Sequence, residues 1–342
     1  MPCVLARRCC HLLSFVILKS MRDQFLSQSS DGSGTGTEQI MTSAKTSNDA
    51  KVAIVTGAGR GIGRAIAQRL ASAGASVGIL ARNHQQIAET VRLISEAGGQ
   101  AMALPADIAD PVAVRKAAKT IEKSFGPVDA LVNNAGVVTP FGPFWETDEA
   151  EWWRSFQINL RGPVLCTRAV LPGMVERRRG RIVNVSSGAG TMASPYYSSY
   201  IVSKTALIRF TECLALETQA HDVAVFAISP GTVRTSMSEY SLNSSEGRKW
   251  LPWFRRMFDE KIDVPVERPV QLVQDLLSGR FDALSGRMLS VFDDLDMLRR
   301  EAAVIDQQNL YSLKLQKLQG AGANPAYAAI LAAARNAAKS SG

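Results

Sequence analysis

A tyrosine and a lysine lie four residues apart in the stretch YSSYIVSKTAL, residues 197–207. On a helix, this separation places Tyr200 and Lys204 on one face. The ordinary pKa of a phenol is about 10, which is too high for efficient proton exchange near neutral pH. A neighbouring ammonium group favours the phenolate and so lowers that pKa. The pair therefore predicts a side chain that donates and accepts a proton during a reaction.

A glycine-rich stretch, TGAGRGIG, occupies residues 56–63. It fits G-x-x-x-G-x-G through Gly57, Gly61 and Gly63, and it does not fit the stricter G-x-G-x-x-G. The stretch stands between an apolar run and a segment of helical spacing, so backbone N–H groups can approach a pyrophosphate at a helix N-terminus. This context predicts a dinucleotide site, and a tight turn with close helix–strand packing is the structural alternative.

The residues after the second apolar run bear on the choice of dinucleotide. An acidic residue at that position binds the adenosine ribose in NAD-dependent proteins, whereas arginine accommodates the 2′-phosphate of NADP. Here Ala81 is followed by Arg82 and Asn83, and Arg60 lies inside the glycine turn. Two guanidinium groups suit a phosphate in both charge and geometry. The sequence therefore predicts NADP(H), and NAD(H) is the weaker alternative.

Apolar runs typical of buried strands alternate with helical segments from Lys51 onwards. The predicted strands cover 51–56, 76–81, 100–107, 129–136, 180–187, 223–231 and 286–292. A long helix over 148–178 is expected to bend around Gly162–Pro163, and a final helical stretch covers 295–318. Strands alternating with helices at this spacing indicate βαβ crossovers and a parallel sheet. We predict an α/β fold: a single-domain, Rossmann-like, doubly wound parallel sheet of about seven strands, with helices on both faces.

Five motifs occur in one order between Lys51 and Leu318: TGAGRGIG, NNAG, NVSSGAG, YIVSK and SPGTVRT. Together they resemble the short-chain dehydrogenase/reductase family. The resemblance implies hydride transfer between a nicotinamide and a carbonyl carbon, while Tyr200 gives or takes the proton. It implies that Ser187, thirteen residues before Tyr200, binds the substrate oxygen and that Lys204 also holds the nicotinamide ribose. It implies that Asn159 of INLRG anchors a water of the proton relay.

The same resemblance implies the set of residues that contact the cofactor. Asp107 would meet the adenine, Asn133 would line the adenosine side, and Thr235 would approach the carboxamide. The full set is Gly57, Arg60, Gly61, Ile62, Gly63, Arg82, Asp107, Ile108, Asn133, Ala135, Gly136, Tyr200, Lys204, Pro230, Gly231, Val233 and Thr235. No metal site is predicted.

Residues 232–268 lie where this family has its substrate lid. Aromatic side chains are frequent there and after the NNAG motif: Trp250, Trp253, Phe254 and Phe258, with Phe141 and Phe144. They suggest a roomy apolar pocket and a hydrophobic or aromatic ketone or secondary alcohol as substrate. Alternatively, these side chains pack against the body of the domain or a neighbouring subunit. A non-catalytic NADP(H)-binding regulator or sensor on the same fold is the competing function.

Composition and charge limit the remaining possibilities. The chain has 342 residues, of which 46% are hydrophobic and 20% charged, and its formal net charge is +8. Basic residues are dense only in 176–181 and 248–258, and no nucleic-acid motif accompanies them. A solvated basic surface is therefore favoured over a nucleic-acid groove. Five cysteines form neither a disulfide framework nor a zinc quartet, which favours a reducing compartment.

The ends of the chain differ in composition from its body. Residues 1–49 are predicted to be a disordered leader or a targeting segment, residues 50–319 the Rossmann domain, and residues 320–342 an Ala-rich tail. The apolar patch from Leu12 to Leu18 is too short to span a bilayer, so no stable membrane anchor is expected. We predict a cytoplasmic homodimer or homotetramer. A mitochondrial location applies if residues 1–42 are a presequence, and a secretory signal is a weaker alternative.

Overall fold

A computed structural model describes residues 51–315 and contains one parallel sheet. Its strands are β1 (Val52–Thr56), β2 (Ser76–Ala81), β3 (Gln100–Pro105), β4 (Ala130–Asn133), β5 (Gly180–Val185), β6 (Val223–Ser229) and β7 (Met288–Ser290). They lie in the order β3-β2-β1-β4-β5-β6-β7, and each neighbouring pair is parallel. This arrangement confirms the predicted doubly wound fold.

Helices connect successive strands. They are α1 (Gly61–Ser72), α2 (His84–Glu96), α3 (Pro111–Phe125), α4 (Glu149–Phe156), α5 (Gly162–Glu176), α6 (Ser198–Thr218), α7 (Ser236–Asn243), α8 (Ser245–Trp250), α9 (Arg256–Asp259), α10 (Glu267–Leu277), α11 (Leu295–Arg300) and α12 (Ala302–Gln308). None of the helices within residues 51–315 combines the length and the apolarity needed to cross a bilayer.

The core lies on both faces of the sheet. Along β1, Ala53 and Val55 pack on the side of α1, α2 and α10, whereas Val52 and Ile54 pack on the side of α3, α5 and α6. Successive side chains of a strand point to opposite faces, so a strand covered on both sides must be apolar throughout. All five residues of β1 are buried, in agreement with this requirement.

The strand order reverses at β1. Chain order runs outward from β1 to β3 on one side and from β4 to β7 on the other. Where the order reverses, the loops after two neighbouring strands diverge and leave a crevice at their carboxyl ends. In this protein that crevice lies beyond Thr56 of β1 and Asn133 of β4.

Two helical predictions need correction. The long helix over 148–178 is divided by a π-helical turn, Gln157–Arg161, which precedes Gly162 rather than coinciding with it. The final stretch consists of α11 and α12 and stops at Asn309, whose φ of 51° is left-handed and ends the helix. The following backbone returns to the sheet, where the carbonyl of Tyr311 accepts a hydrogen bond from the N–H of Met288 in β7.

The proposed lid, residues 232–268, folds into the short helices α7 to α9 and one 3-10 turn, Pro252–Arg255. It therefore has regular local structure, although its elements are too short for their periodicity to be recognised in the sequence. The predicted leader, residues 1–49, lies outside the described residues, as does the predicted tail, residues 320–342.

Candidate active site

The glycine turn leaves the N-terminus of α1 open. Gly57 and Gly61 have φ values of 65° and 56°, which favour glycine. Arg60 is the N-cap but forms no side-chain capping bond, and the first turn of α1 contains no acidic residue. The first N–H groups of a helix have no partner within the helix and carry its positive dipole end. This end of α1 can therefore hold an anion such as a pyrophosphate.

Asn134 holds this turn in place, and the sequence analysis did not single it out. Its Nδ2 donates to the Thr56 carbonyl oxygen at 2.9 Å and lies 3.4 Å from the Gly57 carbonyl oxygen. The Thr56 hydroxyl accepts from the N–H groups of Asn134 and Ala135. A Cβ on Gly57 would stand 2.7 Å from the Ala135 Cα, so the two loops touch and only glycine fits. The second asparagine of NNAG was the available signal.

Asn133, by contrast, points into the protein. Its side chain is 1% exposed, and its Nδ2 donates to Asn184 Oδ1 of β5 at 2.9 Å. The structure thus places this amide between strands and not on the crevice surface, where the family resemblance had implied an adenosine contact.

Lys204 and Asn159 converge on Gly136. A Cβ on Gly136 would lie 3.3 Å from Asn159 Oδ1 and 3.5 Å from Lys204 Nζ. Lys204 is 4% exposed, and its Nζ donates to the Val185 carbonyl at the end of β5 at 2.8 Å. These contacts place a buried ammonium group beside the loop that follows β4.

Asn159 lies in the π-helical turn and is fully buried. Its Nδ2 donates to the Val137 carbonyl at 2.9 Å and to Ser203 Oγ at 3.0 Å, and its Oδ1 accepts from the Val137 N–H at 2.8 Å. The amide therefore joins the loop after β4 to α6. Ser203, adjacent to Lys204, is a second residue that the motifs did not indicate.

Ser187 and Tyr200 form the other half of the cluster. Tyr200 lies in the first turn of α6, and the centroid of its ring is 5.7 Å from Lys204 Nζ. Ser187 follows β5, and its hydroxyl lies close enough to Tyr200 to lower the pKa of the phenol. The structure thus brings together the four residues predicted to be catalytic.

The pKa of Tyr200 contradicts the expectation drawn from its spacing to Lys204. Burial raises this pKa above its usual value, the Ser187 hydrogen bond lowers it, and Tyr197 raises it. Burial also lowers the pKa of Lys204, to about 8. Desolvation disfavours the charged form of both groups and is the largest influence on each pKa. Tyr200 is therefore a neutral phenol near pH 7.

Residues at the ends of β1, β2 and β3 gather on one side of the crevice. Arg60 and Arg82 are both exposed, and neither forms an ion pair with another residue of 51–315. Asp107, after β3, is exposed, and its Oδ1 accepts from the Ala109 N–H. Because β3, β2 and β1 are neighbours, these three side chains lie at the same edge of the sheet.

The loop after β6 reaches the glycine turn. A Cβ on Gly61 would lie 3.4 Å from Thr235 Cγ2, and Thr235 caps α7. Gly231 has a φ of 69° and packs against Val264 at the far end of the lid. Thr235 therefore contacts the glycine turn, and Gly231 precedes it in the same loop. Pro230 lies beside them and is half-buried, whereas Val233 is buried.

The remaining predicted cofactor residues are placed by the packing of their elements. Ile62 is half-buried against the core on the α1 face. Ile108 is 5% exposed and packs against Gly162. Gly63 is buried, and a Cβ added there would stand 2.3 Å from Asn134 Nδ2.

Aromatic residues of the lid pack down on the segment before Tyr200. The rings of Trp250 and Tyr196 are 5.0 Å apart, and those of Trp253 and Tyr197 are 6.2 Å apart. Two cavities within residues 51–315, of about 400 and 40 Å³, do not border Tyr200. The contacts of Trp250 and Trp253 thus agree with packing against the body of the domain. Phe144 does not take part, because it is 67% exposed and packs against Trp152.

Most arginines in the dense basic stretch 176–181 are engaged within the protein. Arg178 pairs with Asp222, Arg179 with Asp129, and Arg181 with Asp282. Arg177 donates to the Val128 carbonyl. These contacts neutralise much of the charge that could otherwise form a nucleic-acid groove.

Comparisons with known proteins agree on one family. A family profile described as short chain dehydrogenase matches residues 51–246. A short chain dehydrogenase of Pseudocercospora fijiensis is 38% identical over 263 residues, which are 74% of this chain and 83% of that protein. The 2,3-dihydro-2,3-dihydroxybenzoate dehydrogenase of Bacillus subtilis is 36% identical over 198 residues, 58% of this chain and 75% of its own.

Solved structures give the same result. A candidate short-chain alcohol dehydrogenase from Sinorhizobium meliloti has a TM-score of 0.64 and 33% identity, over 70% of this chain and 94% of its own. A candidate NAD(P) dependent gluconate 5-dehydrogenase from Beutenbergia cavernae, with bound NADP at low occupancy, has a TM-score of 0.65 and 30% identity, over 72% of this chain and 97% of its own.

Proposed function

This chain belongs to the short-chain dehydrogenase family and is an oxidoreductase of that family, and from this premise we propose that it interconverts an apolar ketone or aldehyde and the corresponding alcohol with NADP(H). The observation that carries the proposal is the convergence of Tyr200, Ser187, Lys204 and Asn159 beside an uncapped helix N-terminus. Residues 50–319 are proposed to form the catalytic domain, with 232–268 as its substrate lid.

The residues present fit a bound dinucleotide. The open end of α1 suits its pyrophosphate, and the glycines allow the backbone to approach closely. Lys204 would hold the nicotinamide ribose, and Thr235 would border the nicotinamide end. When bound, the cofactor supplies the hydride that the protein's own side chains cannot provide.

The protein's side chains handle the proton and the orientation of the substrate. Ser187 would donate a hydrogen bond to the carbonyl oxygen, and Tyr200, a neutral phenol at pH 7, would give that oxygen its proton as negative charge develops there. Lys204, close to its midpoint near pH 8, can then exchange a proton with its surroundings.

The decisive experiment is a panel of ketones and aldehydes with NADPH, followed by absorbance, for the wild-type chain and Tyr200→Phe. The variant keeps the ring and removes the proton, so we expect turnover to fall by about a thousandfold, at the middle of the range for general acid catalysis. NADPH binding should be unchanged. Activity that survives Tyr200→Phe would contradict the mechanism, and a wild type inactive on the whole panel would favour the NADP(H) sensor.

The preference for NADP(H) rests on Arg60 and Arg82 and on Ala81 at the end of β2. Both guanidinium groups are exposed and available to a phosphate, and no carboxylate occupies the position that would bind a ribose hydroxyl. A comparison of NADPH and NADH for the wild type tests this preference.

We also propose a homodimer or homotetramer in the cytoplasm. Two exposed tryptophans, Trp145 at 82% and Trp153 at 52%, support association because large exposed apolar groups are often covered by a partner. Light scattering of the full chain tests the assembly. A fluorescent fusion with and without residues 1–42 tests the location, and mitochondrial signal that depends on this segment would contradict it.

A further inference from the structure

One part of the lid reaches the reaction centre through two aromatic rings. Trp253, in the 3-10 turn of the lid, lies 6.2 Å from Tyr197 with an interplanar angle of 47°. Tyr197 in turn stacks on Tyr200, at 6.2 Å and 20°. Trp253, Tyr197 and Tyr200 form a row of rings, which we call the aromatic row.

Tyr197 lies next to the proposed proton donor, Tyr200, and affects its pKa. It is 7% exposed, and its presence raises the pKa of Tyr200, so the two phenols are close enough to interact electrostatically. The Tyr200 hydroxyl must face the reacting oxygen. A substituent on the same carbonyl that extends towards the lid must therefore pass Tyr197 and Trp253.

The two lid tryptophans are held differently. Trp250 is enclosed by the Tyr196 ring at 5.0 Å, by Lys249 Nζ at 4.5 Å from its centroid, and by Gly142. Trp253 contacts Tyr197 and its own neighbour Phe254. Trp250 is therefore suited to anchor the lid, while Trp253 can separate from Tyr197 without breaking that anchor.

The Trp253 and Tyr197 rings are in direct contact, because a centroid separation of 6.2 Å at an angle of 47° is that of an ordinary tilted aromatic pair. A flat ring between two parallel rings needs a centroid separation of about 7 Å, twice a contact distance of about 3.5 Å. Trp253 must therefore turn parallel to Tyr197 and move outwards to admit a planar group, and a thicker, puckered ring would need a larger displacement.

We propose that Trp253 and Tyr197 are specificity-determining residues that clamp a planar aromatic ring attached directly to the substrate carbonyl. This inference rests on the proposed function and narrows its substrate class from apolar carbonyls to aryl ketones, aryl aldehydes and the corresponding alcohols. Aromatic pairs at such distances are favourable, so each ring strengthens binding a few-fold and the two together by about tenfold.

Acetophenone and cyclohexyl methyl ketone provide the test, because they share a carbon skeleton and differ in the planarity of the ring. Binding to the full chain is measured by calorimetry with NADP⁺, which permits no carbonyl reduction, and kcat/KM is measured with NADPH. The wild type should prefer acetophenone by about tenfold in both measurements. Trp253→Leu and Tyr197→Leu should each reduce this preference to about twofold, chiefly through weaker acetophenone binding.

Two further variants separate clamping from general packing. Tyr197→Phe keeps the ring and should keep the preference. Trp153→Leu removes a half-exposed tryptophan outside the row and should also keep it. If both leucine variants weaken the two ketones equally, or if the wild type has no preference or binds neither ketone, the clamp is wrong. A preference in binding without turnover of any carbonyl would instead contradict the proposed function and leave the clamp supported.

Discussion

Lys204 is a cation in a position that disfavours its charge. The side chain is 4% exposed, one hydrogen bond joins it to the Val185 carbonyl, and burial lowers its pKa to about 8. The motif spacing predicts a lysine that tunes a tyrosine. The structure instead shows burial acting on both groups: it raises the pKa of Tyr200, which stays a neutral phenol, and lowers that of Lys204, which remains mostly charged at pH 7 and titrates near pH 8.

Burial of Lys204 has a consequence for stability. Between about pH 8 and pH 10.5 the unfolded lysine holds a proton that the folded one has released, so the free energy of unfolding rises with pH across this window. A pKa moved from 10.5 to about 8 corresponds to about 3 kcal/mol. Burial raises the pKa of Cys166 to about 12 and raises the pKa values of Tyr197 and Tyr200. These groups lower the free energy of unfolding as pH rises, so the contribution of Lys204 is read as the difference from a variant that lacks it.

We expect Lys204→Met to abolish this increase in the free energy of unfolding with pH. Urea denaturation of the wild type should show a higher free energy of unfolding at about pH 9.5 than at about pH 7.5, by about 2 kcal/mol relative to the variant. The variant should lose most of its activity and remain folded, because a buried charge has been replaced by an apolar chain. Parallel pH dependence in the two proteins would show that Lys204 is not the group responsible.

At the scale of elements, the glycine turn joins β1 to α1 and is fixed from outside by the NNAG loop. The contacts of Gly57 with Ala135 and of Asn134 with the Thr56 carbonyl make the turn part of the switch-point crevice. Its shape therefore depends on two loops that are far apart in the sequence.

Two alanine variants distinguish the cost of a left-handed backbone from the effect of the contact between the glycine turn and the NNAG loop. Gly57→Ala changes both. Gly74 has a φ of 94°, and a Cβ added there would have no atom within 4 Å, so Gly74→Ala is the matched control. Gly74→Ala should lose about 1 kcal/mol, the cost of a left-handed alanine, and Gly57→Ala should lose more, because its Cβ would stand 2.7 Å from the Ala135 Cα. Only Gly57→Ala should raise the Kd for NADPH, by about tenfold or more, since its Cβ pushes the loops apart and misplaces the phosphate donors. Equal Kd values in the two variants would refute a role for this contact in binding.

The π-helical turn orients Asn159 towards the loop after β4 and towards α6. Asn159→Ala would leave the Val137 N–H and carbonyl and Ser203 Oγ without this partner, and we expect a loss of about 2–4 kcal/mol in the free energy of unfolding. Ser203→Ala removes one of these bonds and should lose about 1 kcal/mol. Chemical denaturation measures both values, and similar losses would mean that the amide does not hold the loop.

At the scale of the whole molecule, the arginines differ in how much they contribute to the positive electrostatic potential. The arginines of 176–181 that pair with Asp222, Asp129 and Asp282 contribute little free potential. Arg60 and Arg82 have no such partner among residues 51–315 and stand at the carboxyl edge of the sheet. Positive potential is therefore available where a dinucleotide phosphate would bind.

Ligand linkage makes this preference measurable on the intact protein. Excess NADPH at about a hundred times its Kd should raise the free energy of unfolding by about 2.7 kcal/mol, and equal NADH should raise it less. Arg60→Ala and Arg82→Ala should each weaken NADPH binding by about tenfold and leave NADH unchanged. Arg69→Ala, at the other end of α1, is the control. A larger thermal shift with NADH would overturn the preference.

The fold and the residues of the candidate site could be predicted from local sequence patterns. Continuous apolar runs such as β2 predict strands buried on both faces, and the strand boundaries followed closely. The order of the motifs also predicted which residues meet at the crevice. The aromatic lid was recognised only as an interruption, because its helices are shorter than the window in which helical periodicity can be seen.

The sequence by itself determined the α/β architecture and the glycine turn, because periodicity and motif spacing are properties of neighbouring residues. It predicted Tyr200 and Lys204 from their spacing, and Ser187 and Asn159 through the family resemblance. Only the tertiary structure decided that Asn134 rather than Asn133 supports the turn, that burial keeps Tyr200 neutral, and that Trp253 closes on Tyr197. Burial and contact depend on which distant segments pack together, and desolvation in particular exists only once those segments exclude water.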